Sequence, residues 1–175
     1  MVIFDDCYRY TGKRNLSAVL IEVIKNHEFR FVFLLRLSGT KLGFLFKIPF
    51  RISSQNHGID ISPKTSIGPG FYVGHAWGIT INPRAILGKN INIHKGATIG
   101  RTNRGQLKGV PIIGNNVSIG INATIVGGIH IGDDVMIAPN SYINRDVPSH
   151  TVVMGNPAQY FPRENATEGY VNRGV

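Results

Sequence analysis

From Ile61 onward an aliphatic residue returns every sixth position, at Ile61, Ile67, Val73 and Ile79, then after a two-residue reset at Ile81, Leu87, Ile93 and Ile99. The series breaks, resumes at Ile113 and runs through Ile119, Ile125, Ile131, Ile137 and Ile143. Glycine or alanine often follows the anchor, as at Gly68, Gly88, Gly120 and Ala138. A small or apolar residue usually stands four places after it, among them Phe71, Trp77, Ala97, Val117 and Val135. A period of about six fits neither the three-and-four offsets of a helix nor the alternation of an ordinary strand. It predicts a parallel β-helix of short strands and regular corners, about eighteen residues to a coil. The anchor and the fourth residue after it face inward, each coil buries its apolar row against its neighbours, and both ends need caps.

This pattern divides the chain. Residues 57–147 form the repeat, interrupted where the register fails through residues 101–112; that polar and basic segment leaves the coil as a loop. Residues 1–56 form a helical cap, with a helix over 15–26 capped by Asn15 and carrying Leu16, Val19, Leu20, Val23 and Ile24 on one side. A second helix runs from Glu28 to about Leu42, strongly apolar but broken by Arg30, Arg36 and Lys41, hence not a membrane span. Residues 148–175 close the coil and end in a polar, mobile tail.

The 175 residues suit one domain with an appendage. Cys7 stands alone, so no internal disulfide forms, and no segment reads as a secretory leader. The expected location is cytoplasmic. Of the net charge of +9, more than half lies in residues 1–56. No helix-turn-helix, zinc finger or paired aromatic pattern accompanies it, which argues against nucleic acid. An apolar, basic cap could instead rest peripherally on the inner face of an anionic membrane.

Of six histidines, His75 stands out, two places after an anchor and beside Tyr72 and Trp77. A neutral imidazole there could act as a base near pH 7. Asp60 precedes it by fifteen residues, less than one coil, close enough in principle to fix its tautomer. The reset puts Ile93 over Val73, so Lys95 takes the repeat position of His75 one coil on, and His94 and Lys95 are further candidates for the same cleft. Two exposed polar residues on a coil face are the alternative.

Gly58-Ile59-Asp60, Ile67-Gly68-Pro69-Gly70, Gly74-His75-Ala76-Trp77-Gly78, Ala97-Thr98-Ile99-Gly100, the loop ending at Pro111, Pro148-Ser149-His150-Thr151 and Gly155-Asn156-Pro157-Ala158 carry a resemblance. Together they resemble the hexapeptide-repeat acyltransferases, in their serine acetyltransferase-like branch, over nearly three-fifths of the chain. The resemblance implies an all-β left-handed parallel β-helix with a short N-terminal α-helical segment, a handedness that spacing alone cannot show. It implies a homotrimer with acetyl-CoA as co-substrate in the groove between subunits, and no metal. His75 is then the general base and Asp60 its partner, with Gly74, Trp77, His94 and Lys95 as substrate-binding candidates. Gly120, Ile121, Ala138 and Pro139 match the pantetheine channel, and Lys108 and Arg145 are candidates for the CoA phosphates. The loop becomes an arm over a site shared with a neighbouring subunit.

Two departures bear on the acceptor. Serine acetyltransferases have an aspartate before the histidine, which holds the substrate amine, and an Arg-His pair before the loop proline, which serves the carboxylate. Here the positions are Gly74, Gly109 and Val110. A site lacking a partner for each charged end binds an amino acid poorly, so the expected acceptor is the hydroxyl of a sugar or cell-surface glycan precursor in polysaccharide biosynthesis. The alternatives are serine O-acetylation with substitute recognition groups, a zinc β-helical carbonic anhydrase, although no His-x4-His occurs, and a non-catalytic scaffold.

Overall fold

The computed structural model describes residues 2–175. Its aliphatic anchors form three ladders, one for each parallel sheet of a β-helix. Along the first, Ile61, Ile81, Ile99, Ile125 and Ile143 stack in register. Ile67, Leu87, Ile113 and Ile131 form the second, and Val73, Ile93, Ile119, Ile137 and Val153 the third. Nearly all are buried, together with Phe71, Ala97, Val117, Ala123 and Val135 from the other inward position. Each buried side chain gains apolar contact only from the coils above and below, so the core is a column rather than a sphere. The stack continues past residue 147: Thr151–Met154 adds a parallel rung, and Gln159–Pro162 turns back antiparallel against it.

Trp77 departs from the expected inward pattern. It is 61% exposed, and Ala76, 2% exposed, takes the buried place. The cause is the reset. Gly78 and Gly96 are equivalent corners, since Gly78 N–H donates to His57 O and Gly96 N–H to Trp77 O. Gly78 stands five positions after Val73 but Gly96 only three after Ile93, so the first coil carries two extra residues at this corner. The corner column continues through Asn122 and Asn140, which, like Gly58, Gly78 and Gly96, have positive φ. Glycine and asparagine tolerate that left-handed conformation best.

Four helices, α1 (Val2–Thr11), α2 (Leu16–Lys25), α3 (His27–Ser38) and α4 (Lys47–His57), precede the coils. The Asn15 side chain accepts from Ala18 N–H, as expected of a cap. Of the expected stripe, Val19 is buried and Val23 packs beside it, but Leu16, Leu20 and Ile24 are exposed, and Ala18 joins the buried face. The sequence reading missed α1 and α4. In α4 Pro49 lies in the first turn, where its missing N–H has no helical partner to lose. Gly58 ends the helix at φ 59°. No helix among the described residues is long and apolar enough to cross a membrane.

The cap closes the column in two ways. Phe31, Val32 and Leu35 of α3 plug the apolar end of the first coil. Polar side chains satisfy the first coil's open sheet edges: Arg36 donates to Ile67 O and Gly68 O, each at 2.6 Å, and Arg9 to Gly70 O at 2.9 Å. Tyr10 Oη accepts from Val73 N–H at 2.8 Å, and Asp6 accepts from Phe71 N–H at 2.9 Å. An edge covered in this way offers no template for another strand.

The tail is docked rather than loose, which corrects the expectation of mobility. Asp134 accepts from Ala166 N–H, Thr167 N–H and the Thr167 hydroxyl at 2.9, 3.0 and 2.7 Å. Further on, Asn92 donates to Tyr170 O at 2.7 Å, and Val175 N–H donates to Asn90 Oδ1 at 2.8 Å. The tail therefore returns across the third sheet to the cap.

Candidate active site

His75 is the first residue after the strand Tyr72–Gly74 and one of the two extra residues at that corner. Its φ of 54° is left-handed, yet it lies outside the glycine and asparagine column, and its side chain is exposed. Such backbone in a non-glycine residue marks a position held by its surroundings. His94 lies close by, with ring centroids 6.5 Å apart. Register pairs His94 with Gly74, not with His75. A Cβ on Gly74 would stand 2.6 Å from His94 Cε1, so the imidazole occupies the space where a side chain at 74 would begin. Burial, and secondarily the charge of His75, lower the His94 pKa, which keeps this imidazole neutral near pH 7.

The two histidines line one cavity of about 210 Å³ with Ser118, Gly120, Ile121, Met136, Ile137, Pro139 and Tyr170. Gly120, Ile121 and Pro139 were expected beside a channel. Ala138 instead stacks on Gly120 and is not among the lining residues. Gly120 must be small, since its Cβ would meet Ile137 O at 2.7 Å. The N–H groups of Gly120 and Ala138 donate to Ile137 O and Val153 O, which removes both as donors to an oxyanion.

Other candidates fall elsewhere. Lys95 does not stack over His75. Gly96 N–H reaches Trp77 O and Asn122 N–H reaches Lys95 O, so Lys95 lies between Trp77 and Ile121 in another column, because the extra corner residues take His75 out of register. Asp60 is exposed on the first sheet and pairs with Thr80. Among the described residues no ion pair within 4.0 Å joins it to His75. Trp77 is edge-on to His57, at 6.0 Å between centroids. Lys108 is exposed in the excursion, which closes on itself through paired Thr102 and Gly109 and leans on the coil where Gly128 N–H donates to Leu107 O. The Arg145 guanidinium lies 4.1 Å over the Tyr160 ring and donates to Ala158 O. Among the described residues, no group of three or more His, Cys, Asp or Glu is placed to hold a metal ion.

Sequence reasoning placed Ile137 only in a core ladder and missed Ser118, Met136 and Tyr170. Ser118 occupies the strand position of Asn92, two residues before the His94 column, and Met136 the same position one coil on. Column arithmetic could have found these two. Nothing in the repeat could have found Tyr170, which arrives from the tail.

Residues 111–145 match the model of the bacterial transferase hexapeptide (six repeats). Serine acetyltransferase 2 of Arabidopsis thaliana is 41% identical over 106 residues, covering 61% of this chain and 33% of the relative. The serine acetyltransferase of Helicobacter pylori is 30% identical over 138 residues, covering 79% of this chain and 74% of the relative. The chain belongs to the serine acetyltransferase family. Soybean serine acetyltransferase, solved as the apoenzyme, superposes with a TM-score of 0.76 at 26% identity, over 91% of this chain and 67% of that one. The architecture is accordingly the left-handed parallel β-helix of the hexapeptide fold. The chain spans about a third of the length of the first plant relatives it matches.

Membership in this family overturns the sugar or glycan acceptor, and with it a place in polysaccharide biosynthesis. That expectation equated charged groups missing at positions 74, 109 and 110 with charged groups missing from the site. The inference fails physically because a pocket can draw its groups from other elements. His94 already occupies the space beside Gly74, and arginines from α1 and the tail line the cavity adjoining it.

Proposed function

We propose that the protein is a serine O-acetyltransferase using acetyl-CoA, the activity named for its relatives. The observation that carries the reading is the meeting of His75 and His94 with Gly120, Ile121 and Pro139 around one cavity. In this reading the serine hydroxyl lies against the His75 imidazole. The imidazole accepts the hydroxyl proton as the oxygen attacks the thioester carbonyl. The carbon–sulfur bond then breaks, and the departing thiolate takes the proton back as the thiol of CoA, leaving the O-acetyl ester. His94, neutral and with both ring nitrogens capable of hydrogen bonding, takes the role of an acceptor for the serine amine beside Gly74. Pantetheine follows Gly120, Ile121 and Pro139, and Lys108 and Arg145 serve the CoA phosphates. Asp60 orients His75 once the site closes on substrate, since catalytic hydrogen bonds are often long without it.

Exposed His75 and Trp77 fit a cleft completed by a neighbouring subunit, and the assembly in this reading is a homotrimer. The decisive experiment follows CoA thiol release with acetyl-CoA and L-serine. Serine-dependent release that drops about 10²–10⁴-fold in His75→Ala, or about 3–5 kcal/mol, is expected. An unchanged rate in that variant sinks the base assignment, and release no faster with serine than without it sinks the activity.

A further inference from the structure

Five apolar side chains in one short stretch of the cap face solvent. Leu42, Phe44 and Leu45 belong to the turn between α3 and α4, Ile48 and Ile52 to α4, and each is more than half exposed. The local packing sends them outward. A Cβ on Gly43 would collide with Ser38 O, so the turn rests on the end of α3 through its glycine and its neighbours stand away. On α4, Phe50 packs against Phe31 and the core of the first coil, with ring centroids 5.8 Å apart. With about 3.6 residues to a turn, Ile48 and Ile52 then lie on the opposite side of the helix. Helix α2, which also packs on α3, repeats the arrangement, with Leu20, Ile21 and Ile24 at least half exposed and directed away from buried Ala18 and Val19. Scattered exposed aliphatic residues are ordinary, whereas two such faces in one cap mark a contact surface.

The charge around these faces has one sign. Lys41, Lys47 and Arg51 are exposed within the same stretch as the five apolar residues, and Lys25 and Arg30 are exposed where α2 gives way to α3. From Phe29 through Ile59 the chain contains no Asp or Glu. Among the described residues, none of these five cations enters an ion pair within 4.0 Å. An isologous contact with a second copy would set Lys41, Lys47 and Arg51 against the same three cations, and like charges across an interface repel. An anionic bilayer suits both features, since it takes apolar side chains among its acyl chains and cations at its headgroup phosphates. No helix among the described residues is long and apolar enough to cross it, so the cap would lie on its surface.

We propose that the helical cap docks the protein on an anionic lipid surface, with the Gly43–Leu45 turn and the outer face of α4 as the inserting element and α2 as a second apolar face. Lys41, Lys47 and Arg51 hold the headgroups around the inserted side chains. This docking is independent of which hydroxyl the site acetylates.

Flotation of the full chain with vesicles tests it, comparing phosphatidylcholine alone with an equal mixture of phosphatidylcholine and phosphatidylglycerol. Partition onto the mixed vesicles is expected to exceed that onto the neutral ones about tenfold or more. Lys41→Gln/Lys47→Gln/Arg51→Gln should lower it about tenfold to a hundredfold at an unchanged melting temperature. Phe44→Ser/Ile48→Ser should lower it about tenfold or more by removing inserted apolar area. No binding to either vesicle, equal binding to both, or full binding by either variant overturns the proposal. So does a fall in the mass of the lipid-free protein in Phe44→Ser/Ile48→Ser, read by light scattering, which would assign the face to a contact between copies.

Discussion

His94 stands where Gly74 has no side chain. The two residues are register partners on adjacent coils, and a Cβ at 74 would press on the imidazole. Gly74→Ala should therefore cost about 1–3 kcal/mol through overpacking. Much of that loss should return in the double variant Gly74→Ala/His94→Ala. Urea denaturation of the four proteins measures the coupling, and strictly additive losses would show that the two sites do not share this space.

The same imidazole carries a pH dependence. Burial first, and the His75 charge second, lower the His94 pKa from its ordinary value near 6.5. The unfolded chain therefore binds a proton more readily than the fold does. The favourable contribution is complete above pH 6.5 and is lost as pH falls from there through the folded value. Urea midpoints should drop between pH 7.5 and 5.5, and His94→Gln should shrink the drop. An equal drop in the variant would assign the dependence to other groups.

The ladders should behave as a core one residue wide. Ile119 is fully buried between Ile93 and Ile137. Ile119→Ala is expected to cost about 2–5 kcal/mol in chemical denaturation. A loss under 1 kcal/mol would mean that the coils collapse to refill the column.

Asp134 decides whether the tail stays docked. Burial pushes its pKa up, but donation from Thr167, His150 and Ala166 outweighs this and holds it below the ordinary value. Docking is therefore fully supported above the ordinary carboxylate range and is lost as pH falls through the lowered value. At neutral pH Asp134→Asn should hasten proteolytic cleavage after Arg163, read by mass spectrometry. Unaltered cleavage would show that the Asn90 and Asn92 contacts suffice.

Much of the scaffold was legible because its signal is periodic. Ile93 over Val73 followed from counting, and so did the inward ladders. Motif resemblance pointed to Gly120, Ile121 and Pro139, which line one cavity with His75. The errors arose where counting was carried across an irregular corner. Lys95 was placed over His75 because the two extra residues were treated as a reset of register, whereas in the structure they form a bulge that displays His75, buries Ala76 and exposes Trp77. Helix α1 went unseen because its buried face mixes Ile3 and Cys7 with Asp6 and Arg9, whose partners are sheet-edge backbone groups far along the chain.

The sequence by itself determined the coil, its three apolar ladders and the histidine that stands beside an anchor. These depend on neighbours at a constant spacing, and spacing is written in the chain. Only the tertiary structure decided what surrounds that histidine. His94 comes from the middle of the chain and Tyr170 from its tail, and no period relates the two. Their meeting depends on a helical cap that satisfies open sheet edges and a tail that returns to it, both products of burying polar backbone with partners distant in sequence.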